Sequence, residues 1–296
     1  MTPSLRLAAS ELLAWRRDQL SRGGRSVDLD WLLDLGGGLA WSRLQRLLLD
    51  PAGTVVLERS LDDLAVLWTR HLAQHEPLQH LVGLCPWRDL VLESSASALI
   101  PRQETELLVD LALTCCQETP PQRWADLGTG SGAIAVSLAR AWPEAQGHAV
   151  DLSEMALELA SRNLNALAPN HRCVLHQGGW WDPLQPWWGD FDLVVSNPPY
   201  IPRAEVHGLA AVVRDHEPHL ALTGGDDGLE AIRILVAGAA KALAPGGWLL
   251  LEHHYDQSDR VQLLCREAGL IRISAAMDLE GVQRFALACR PFVPPA

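Results

Sequence analysis

Four consecutive residues, Asn197-Pro198-Pro199-Tyr200, follow an apolar run at Phe191–Ser196 and have the chemistry to hold a planar nitrogen. Each proline fixes its own φ and pushes the preceding residue toward an extended conformation, which makes the segment a rigid corner of backbone. The Asn197 side-chain oxygen and the Pro198 carbonyl oxygen can each accept one hydrogen from an NH₂ group, and Tyr200 can lie over its plane. We therefore predict Asn197, Pro198 and Tyr200 as catalytic residues that orient an amide or exocyclic amine toward an electrophile. A proline-terminated loop is the structural alternative.

A glycine-rich turn, Asp126-Leu-Gly-Thr-Gly-Ser-Gly132, joins a predicted strand at Trp124–Leu127 to a predicted helix at Ala133–Ala141. Glycine accepts positive φ and lets the backbone approach a ligand, and ligands of open α/β sheets bind beyond the carboxyl ends of the strands. Asp151 ends the next predicted strand, where its carboxylate can accept hydrogen bonds from both hydroxyls of a ribose. The acid Asp126 suits the amino group and sulfonium charge of S-adenosylmethionine. The predicted cofactor-binding residues of this region are Asp126, Gly128, Thr129, Gly130, Gly132 and Asp151.

A dinucleotide cofactor is the alternative ligand for such a turn. Its fingerprint is G-x-G-x-x-G, with the pyrophosphate at the N-terminus of the following helix. Ala133 occupies the position of the third glycine, so the spacing here is G-x-G-x-G. Asp126 beside the turn also fits a pyrophosphate poorly. A tight turn without any ligand is the structural alternative.

The order of predicted elements indicates the fold class. Strands and helices alternate from Pro101 onward, which predicts an α/β domain with a mostly parallel sheet. Two final strands, at Leu270–Ala276 and Arg284–Cys289, predict an antiparallel C-terminal edge. We predict a small helical domain at residues 1–84, a β-hairpin or linker at 85–100 and the α/β domain at 101–296.

The composition narrows the classes of partner. The chain has 24 basic and 36 acidic residues, a formal charge of −12 and a single lysine, Lys241. Nucleic-acid affinity depends mainly on clustered Lys and Arg, so we expect no direct nucleic-acid partner. No segment approaches the ~20 apolar residues that cross a bilayer, and the N-terminus lacks the pattern of a signal peptide. We expect a cytoplasmic monomer with no membrane association and no metal site.

Several further segments carry a resemblance to a known family. They are Pro77–Gly83, Leu99-Ile-Pro-Arg-Gln-Glu-Thr-Glu106, Glu217-Pro218, Gly224, Gly228, Gly246-Gly247, Leu251-Glu252 and Asp278–Arg284. Together with the turn, Asp151 and the Asn-Pro-Pro-Tyr corner, they resemble the protein-(glutamine-N5) methyltransferases that modify peptide chain release factors. The Ile-Pro-Arg-x-x-Thr-Glu segment is the most specific of these marks.

The resemblance implies a fold, a reaction and roles for residues. It implies a class I S-adenosylmethionine-dependent methyltransferase domain, and a helical N-terminal domain that docks the release factor. The methyl group would go to the side-chain amide nitrogen of the glutamine in a Gly-Gly-Gln loop. Trp180 would form a wall of the adenine pocket, and Asn197 would also lie against the cofactor. The implied substrate-binding residues are Asn197, Pro198, Pro199, Tyr200, Arg102, Thr105 and Glu106.

Two positions depart from the family pattern, and other functions remain open. Gln103-Glu104 stands where the family has Pro-Asp, and Gly179 stands where an acid that touches the adenine amine is common. A ribosomal-protein glutamine methyltransferase shares these motifs. A nucleic-acid amino-methyltransferase uses the same tetrapeptide, although the acidic composition disfavours it. A catalytically inactive binding module is a further alternative.

Overall fold

A computed structural model of the chain describes residues 5–292. The ends of the first and third predicted domains, residues 1–4 and 293–296, lie outside the described residues. The described residues form two compact units. One contains the chain up to Leu84 together with Ala211–His216, and the other contains Cys85–Ala210 and the chain from Glu217 onward.

The first unit is mainly helical around a leucine-rich core that includes Trp68. Ser60 begins the longest of its helices, because its side chain accepts a hydrogen bond from the Asp63 N–H at 3.0 Å. A five-residue π-helix, Leu32–Gly36, continues directly from the second helix. The elements of this unit are β1 (Leu5–Ala8), α1 (Ala9–Ser21), α2 (Ser26–Trp31), α3 (Trp41–Leu49), β2 (Thr54–Leu57), α4 (Leu61–Gln74) and α5 (Leu78–Val82).

The start of this unit differs from the helical reading of the sequence. Leu5 fits a helical period with Ala9 and Leu12, yet Leu5–Ala8 is a strand that pairs antiparallel with Thr54–Leu57. In that pairing Leu7 lies opposite Val55, and both are buried in the leucine-rich core. The long-range pairing therefore overrides the local period.

The second unit contains the other elements, except the short helix Ala211–Arg214, which belongs to the first unit. The hairpin formed by its first two strands is a separate two-stranded sheet. In chain order the elements are β3 (Leu84–Trp87), β4 (Leu90–Glu93), α6 (Thr105–Cys115), β5 (Arg123–Leu127), α7 (Ala133–Ala141), β6 (Gln146–Asp151), α8 (Glu154–Leu167), β7 (Cys173–Gln177), β8 (Phe191–Ser196), α9 (Arg203–Val206), α10 (Ala211–Arg214), α11 (Glu230–Ala242), β9 (Leu243–Glu252), α12 (Ser258–Glu267), β10 (Ile271–Met277) and β11 (Gln283–Cys289).

Seven of these strands form one sheet in the order β10-β11-β9-β8-β5-β6-β7. Strands β7, β6, β5, β8 and β9 are parallel neighbours, and β11 is antiparallel to both β9 and β10. The predicted mostly parallel sheet with an antiparallel C-terminal edge is confirmed. It is the sheet arrangement that the family resemblance implies.

One local prediction in the sheet is wrong. The sequence Pro245-Gly246-Gly247 predicts the end of a helix before a strand at Trp248–Glu252, but the strand begins at Leu243 and runs through these residues. A Cβ on Gly247 would lie 2.5 Å from the Phe191 carbonyl oxygen, so only glycine fits here. The glycine admits an irregular register between β8 and β9 where we expected a break.

Apolar side chains alternate between the two faces of the sheet. In β8, Leu193 and Val195 join one hydrophobic cluster and Val194 joins the other. Helices α6, α7 and α8 contribute to the first cluster, and α11 and α12 to the second. Burial on both faces explains why the central strands read as continuous apolar runs. Within residues 5–292, no helix combines the length and hydropathy that a membrane span requires.

Candidate active site

The neighbours of β5 determine where a ligand can bind. Strand β6 pairs with one side of β5 and β8 with the other, so the chain reverses its direction of winding there. Such a switch point opens a crevice beyond the carboxyl ends of the strands. A cavity of about 370 Å³ lies there, a size that suits a small-molecule cofactor. The predicted residues that line it are Thr105, Gly128, Thr129, Gly130, Asp151, Trp180, Asn197 and Pro199.

Three glycines of the turn between β5 and α7 have positive φ, at 77° for Gly128, 54° for Gly130 and 82° for Gly132. A Cβ on Gly128 would lie 3.2 Å from the ring of Trp180, so a side chain there would fill the cavity wall. Gly132 is different, because its Cβ would lie 3.0 Å from that of Ala160 in α8. It is not among the lining residues and allows close helix packing instead.

Asp151 is held by the backbone of two loops. Its Oδ2 accepts a hydrogen bond from the Gly130 N–H at 2.8 Å, and its Oδ1 accepts one from the Ser153 N–H at 2.9 Å. Each carboxylate oxygen has a further lone pair. Since Asp151 also lines the cavity, it can accept the two hydroxyls of a ribose.

Asp126 lies beneath the turn and has no exposed surface. Its Oδ2 accepts hydrogen bonds from the Thr129 hydroxyl at 2.6 Å and from the Ala135 N–H at 3.1 Å. No described residue donates to its Oδ1. Burial raises the pKa of Asp126 to about 7, although both hydrogen bonds oppose that rise. Asp126 thus ties the turn to α7, and its contact with a cofactor stays a prediction.

A chain of hydrogen bonds orients the Asn197 amide. Its Nδ2 donates to the Thr105 hydroxyl at 3.0 Å, and that hydroxyl donates to Glu252 Oε2 at 2.7 Å. With Nδ2 engaged, Oδ1 remains as an acceptor, and no described residue donates to it. Because Asn197 lines the cavity, this oxygen is available to accept a hydrogen bond from a ligand there.

Glu252 is central to this chain of hydrogen bonds, although it is not among the predicted site residues. It ends β9, is 1% exposed and accepts a second hydrogen bond from the Tyr200 hydroxyl at 3.1 Å. Burial raises the pKa of Glu252 to about 7 and also raises the pKa of Tyr200. Two features of the sequence mark it: it is a polar residue that ends the apolar run Trp248–Leu251, and Leu251-Glu252 is one of the segments that carry the family resemblance.

The loop after the corner supports it by backbone contacts. The Ile201 N–H donates to the Leu222 carbonyl at 3.1 Å, and the Gly224 N–H donates to the Ile201 carbonyl at 2.9 Å. A Cβ on Gly224 would lie 2.7 Å from the Pro199 carbonyl oxygen, which requires glycine at this position. Gln257 Nε2 donates to the Tyr200 carbonyl at 3.0 Å. Contacts from Leu222–Gly224 and from Gln257 therefore support the tetrapeptide and the residue that follows it.

The other predicted substrate-binding residues lie outside the cavity lining. Arg102 forms an ion pair with the buried Glu217 at 2.7 Å. The Glu106 carboxylate accepts a hydrogen bond from the Arg88 N–H at 3.0 Å in the turn between β3 and β4. Tyr200 borders a second cavity, of about 470 Å³. The binding roles of Arg102, Glu106, Pro198 and Tyr200 stay predictions.

Two further residues matter near the cofactor cavity. Asp182 Oδ2 lies 3.2 Å from the position that a Cβ on Gly179 would occupy, so this carboxylate stands beside the departure from the family pattern. Asn163 is 1% exposed, and its Nδ2 donates to the Ser131 carbonyl at 2.9 Å, which fixes the glycine turn from α8. No spacing or residue type in the sequence distinguished Asn163.

Known proteins match the chain at the level of sequence and fold. Residues 103–225 match the family model described as Methyltransferase small domain. A release factor glutamine methyltransferase of Prochlorococcus marinus is 56% identical over 96% of this chain and 98% of its own length. One of Gloeobacter violaceus is 42% identical over 92% of this chain and 95% of its own.

Among solved structures, the hMettl16 catalytic domain in complex with the MAT2A 3′UTR hairpin 6 aligns with a TM-score of 0.55. It is 13% identical over 79% of this chain and 84% of its own, which is a likeness of fold alone. The identity to the two release factor glutamine methyltransferases covers more than nine tenths of both chains, so it shows the family as well as the fold. On that ground, the chain belongs to the family of release factor glutamine methyltransferases.

Proposed function

We propose that this chain transfers a methyl group from S-adenosylmethionine to the side-chain amide nitrogen of the glutamine in the Gly-Gly-Gln loop of peptide chain release factors. The observation that carries the proposal is the oriented Asn197 amide, whose Nδ2 is engaged by Thr105 while its Oδ1 accepts from no described residue. The names of the relatives, which match almost the whole chain, support the same substrate.

The residues around the first cavity fit the proposed cofactor. The positive-φ glycines at 128 and 130 bring backbone to the cavity without a side chain, and Asp151 offers two oxygens already fixed by Gly130 and Ser153. Asp126 has no exposed surface and does not line the cavity, so we infer that it supports the cofactor site through the turn that it holds. When bound, S-adenosylmethionine supplies an electrophilic methyl group. We infer that Gly128, Gly130, Asp151 and Trp180 hold it.

The acceptor corner works by orientation. An amide lone pair is delocalised and poorly aimed, so the nitrogen must be held in one plane and at one angle. Asn197 Oδ1 and the Pro198 carbonyl oxygen accept the two N–H hydrogens, and Tyr200 restrains the plane. Orientation of this kind and preorganised dipoles can each contribute several kcal/mol. Transfer would join the methyl carbon to the nitrogen, S-adenosylhomocysteine would leave with the electron pair of the broken sulfur–carbon bond, and the amide proton would pass to water.

We propose that the helical unit docks the protein substrate. We infer that the segment up to Leu84 binds the release factor as a protein surface, in a monomeric, cytoplasmic enzyme. The acidic composition, with 36 acidic and 24 basic residues, supports a protein substrate over a bare nucleic acid.

The test is methyl transfer with labelled S-adenosylmethionine and purified release factors. Label is expected on the Gly-Gly-Gln glutamine, located by mass spectrometry of the digested product. A release factor with that glutamine changed to asparagine is the matched control, because it keeps the amide but withdraws it by one methylene.

The alternative substrates serve as further arms of the same assay. Ribosomal proteins, RNA and single-stranded DNA are incubated under identical conditions. Label on a ribosomal-protein glutamine or on a base, with none on the release factors, would replace the proposal. No label anywhere, together with no binding of S-adenosylmethionine by calorimetry, would favour an inactive binding module.

A further inference from the structure

We propose that Glu252 is a positioning residue for the transfer: its carboxylate determines which atom of the Asn197 amide faces the substrate. The inference rests on the proposed function and assigns a task to a residue that touches neither the cavity nor the acceptor. Glu252 is 1% exposed and is not among the residues that line the cavity.

The direction of the hydrogen bonds carries the argument. An ionised carboxylate only accepts, so the hydroxyls of Thr105 and Tyr200 must both donate to Glu252. The Thr105 oxygen then has only lone pairs left for Asn197, which must approach it with Nδ2. Oδ1 is consequently turned to the opposite side, where it can accept a substrate N–H. The charge at 252 thus sets the orientation of an amide two hydrogen bonds away.

Protonation of Glu252 can reverse the direction of its hydrogen bond with Thr105. A neutral carboxyl can donate to the Thr105 oxygen, which frees the Thr105 hydrogen to point at Asn197. The amide then gains by turning its oxygen to Thr105 and its NH₂ to the cavity. An NH₂ cannot accept a hydrogen bond from the substrate amide, so the corner loses one of its two acceptors.

The groups around Glu252 make this change accessible near neutral pH. Burial raises its pKa to about 7, while the hydrogen bonds from Thr105 and Tyr200 and the charge of Arg284 in β11 oppose that rise. The charge of Glu104, the residue before α6, raises the pKa of Glu252 further. Arg284 is itself paired with Asp278 at 2.6 Å. Burial lowers the pKa of the adjacent His253.

The sign of the pH dependence follows from these groups. The ionised form of Glu252 is the competent one, so the rate constant falls as pH decreases through about 7 and levels off above it. Buried Asp126 has a pKa raised to a similar value and lies at the cofactor end. The diagnostic quantity is therefore the difference between wild type and a variant that does not titrate at 252.

Glu252→Gln is the principal variant, since it keeps the shape and removes the titration. We expect kcat to fall by about 10²-fold, the scale of a misoriented reactive group, with the KM for S-adenosylmethionine within about threefold of wild type. The part of the pH profile that titrates near 7 should disappear. Glu267→Gln, at an exposed glutamate of α12, is the matched control and should leave rate and profile unchanged.

Thr105 provides a second route to the same relay if the glutamine variant folds poorly. Thr105→Val removes the hydroxyl at constant shape and should lose about as much rate as Glu252→Gln, whereas Thr105→Ser should regain most of it. The double variant should lose no more than the larger single loss, because both changes break one relay. Losses that multiply would overturn the inference.

A measurement on the protein alone separates this inference from the proposed function. In ¹⁵N-labelled enzyme, the side-chain NH₂ signals of Asn197, assigned by their absence in Asn197→Asp, should shift with pH with a midpoint near 7. They should not shift in Glu252→Gln. If the Asn197 signals of the wild type do not change with pH, the inference is overturned even if the enzyme is active. A wild type that titrates as expected but methylates no release factor would overturn only the proposed function.

Discussion

The two ends of the candidate site each contain a buried carboxyl, yet they are built differently. Asp126, at the cofactor end, and Glu252, at the acceptor end, accept a threonine hydroxyl at 2.6 and 2.7 Å respectively. Burial raises the pKa of each to about 7. The partners of Asp126 lie 3 and 9 residues away, and one of them is a backbone N–H. Those of Glu252 lie 147 and 52 residues away, and both are side chains.

Because the two ends are built differently, we expect substitutions at them to have different effects. The cofactor end is a local turn whose shape depends on glycine backbone and on contacts with α7 and α8. Damage there should appear as lost stability or lost cofactor affinity. The acceptor end joins α6, β9 and the loop after β8 through side-chain hydrogen bonds. Damage there should appear as a lower rate with the cofactor site intact.

Removing the Asn197 side chain should have the largest effect. Asn197→Ala eliminates one of the two proposed acceptors for the substrate amide, so we expect kcat to fall by about 10²–10³-fold, as when one preorganised hydrogen-bond partner of a transition state is lost. Binding of S-adenosylmethionine, measured by calorimetry, should stay within a few fold. Loss of cofactor binding in this variant would erase the proposed separation between the two ends.

The third glycine of the turn tests the structural side of the comparison. Gly132→Ala combines a φ of 82° with a Cβ only 3.0 Å from that of Ala160, so we expect a loss of about 2–4 kcal/mol in the free energy of unfolding. Gly269→Ala is the matched control, because its φ is 77° but nothing lies within 4 Å of the new Cβ. That variant should lose only about 1 kcal/mol, from backbone strain alone. Equal losses in chemical denaturation would mean that the contact with α8 contributes nothing.

The same contrast explains what the sequence could predict. The bounds of α7 and β8 agree with the prediction because Gly132 and Pro198 mark them locally. Asp151 was predicted at the site because a strand end lies at a regular spacing from the turn. The sequence does not predict Glu252 as a site residue, because its role depends on hydrogen bonds from Thr105 and Tyr200, which are distant along the chain. Strand β1 was missed for the same reason, since its partner, Thr54–Leu57, lies far along the chain.

Asp151→Asn should weaken cofactor binding by an intermediate amount. The asparagine has one carbonyl oxygen, so either the Gly130 N–H or the Ser153 N–H loses its acceptor and faces an NH₂ instead. The loss of a charged hydrogen-bond partner predicts an affinity for S-adenosylmethionine about 10–100-fold lower by calorimetry. Asp227→Asn, in a surface ion-pair cluster with Arg233 and Arg260, should leave that affinity unchanged. A similar loss in both variants would point to net charge as the cause.

The smallest expected effect concerns the pH dependence of stability and involves Asp126. Its pKa in the folded protein, about 7, lies above its ordinary value of 3.8, so the folded state keeps a proton that the unfolded chain has released. The stabilisation is complete below the ordinary value and is lost as pH rises through about 7. Asp126→Asn cannot titrate, so its stability relative to wild type should rise by about 1–2 kcal/mol between about pH 6 and pH 8 in urea unfolding. A constant difference between the two proteins would mean that Asp126 is already ionised in the fold, stabilised by the turn that surrounds it.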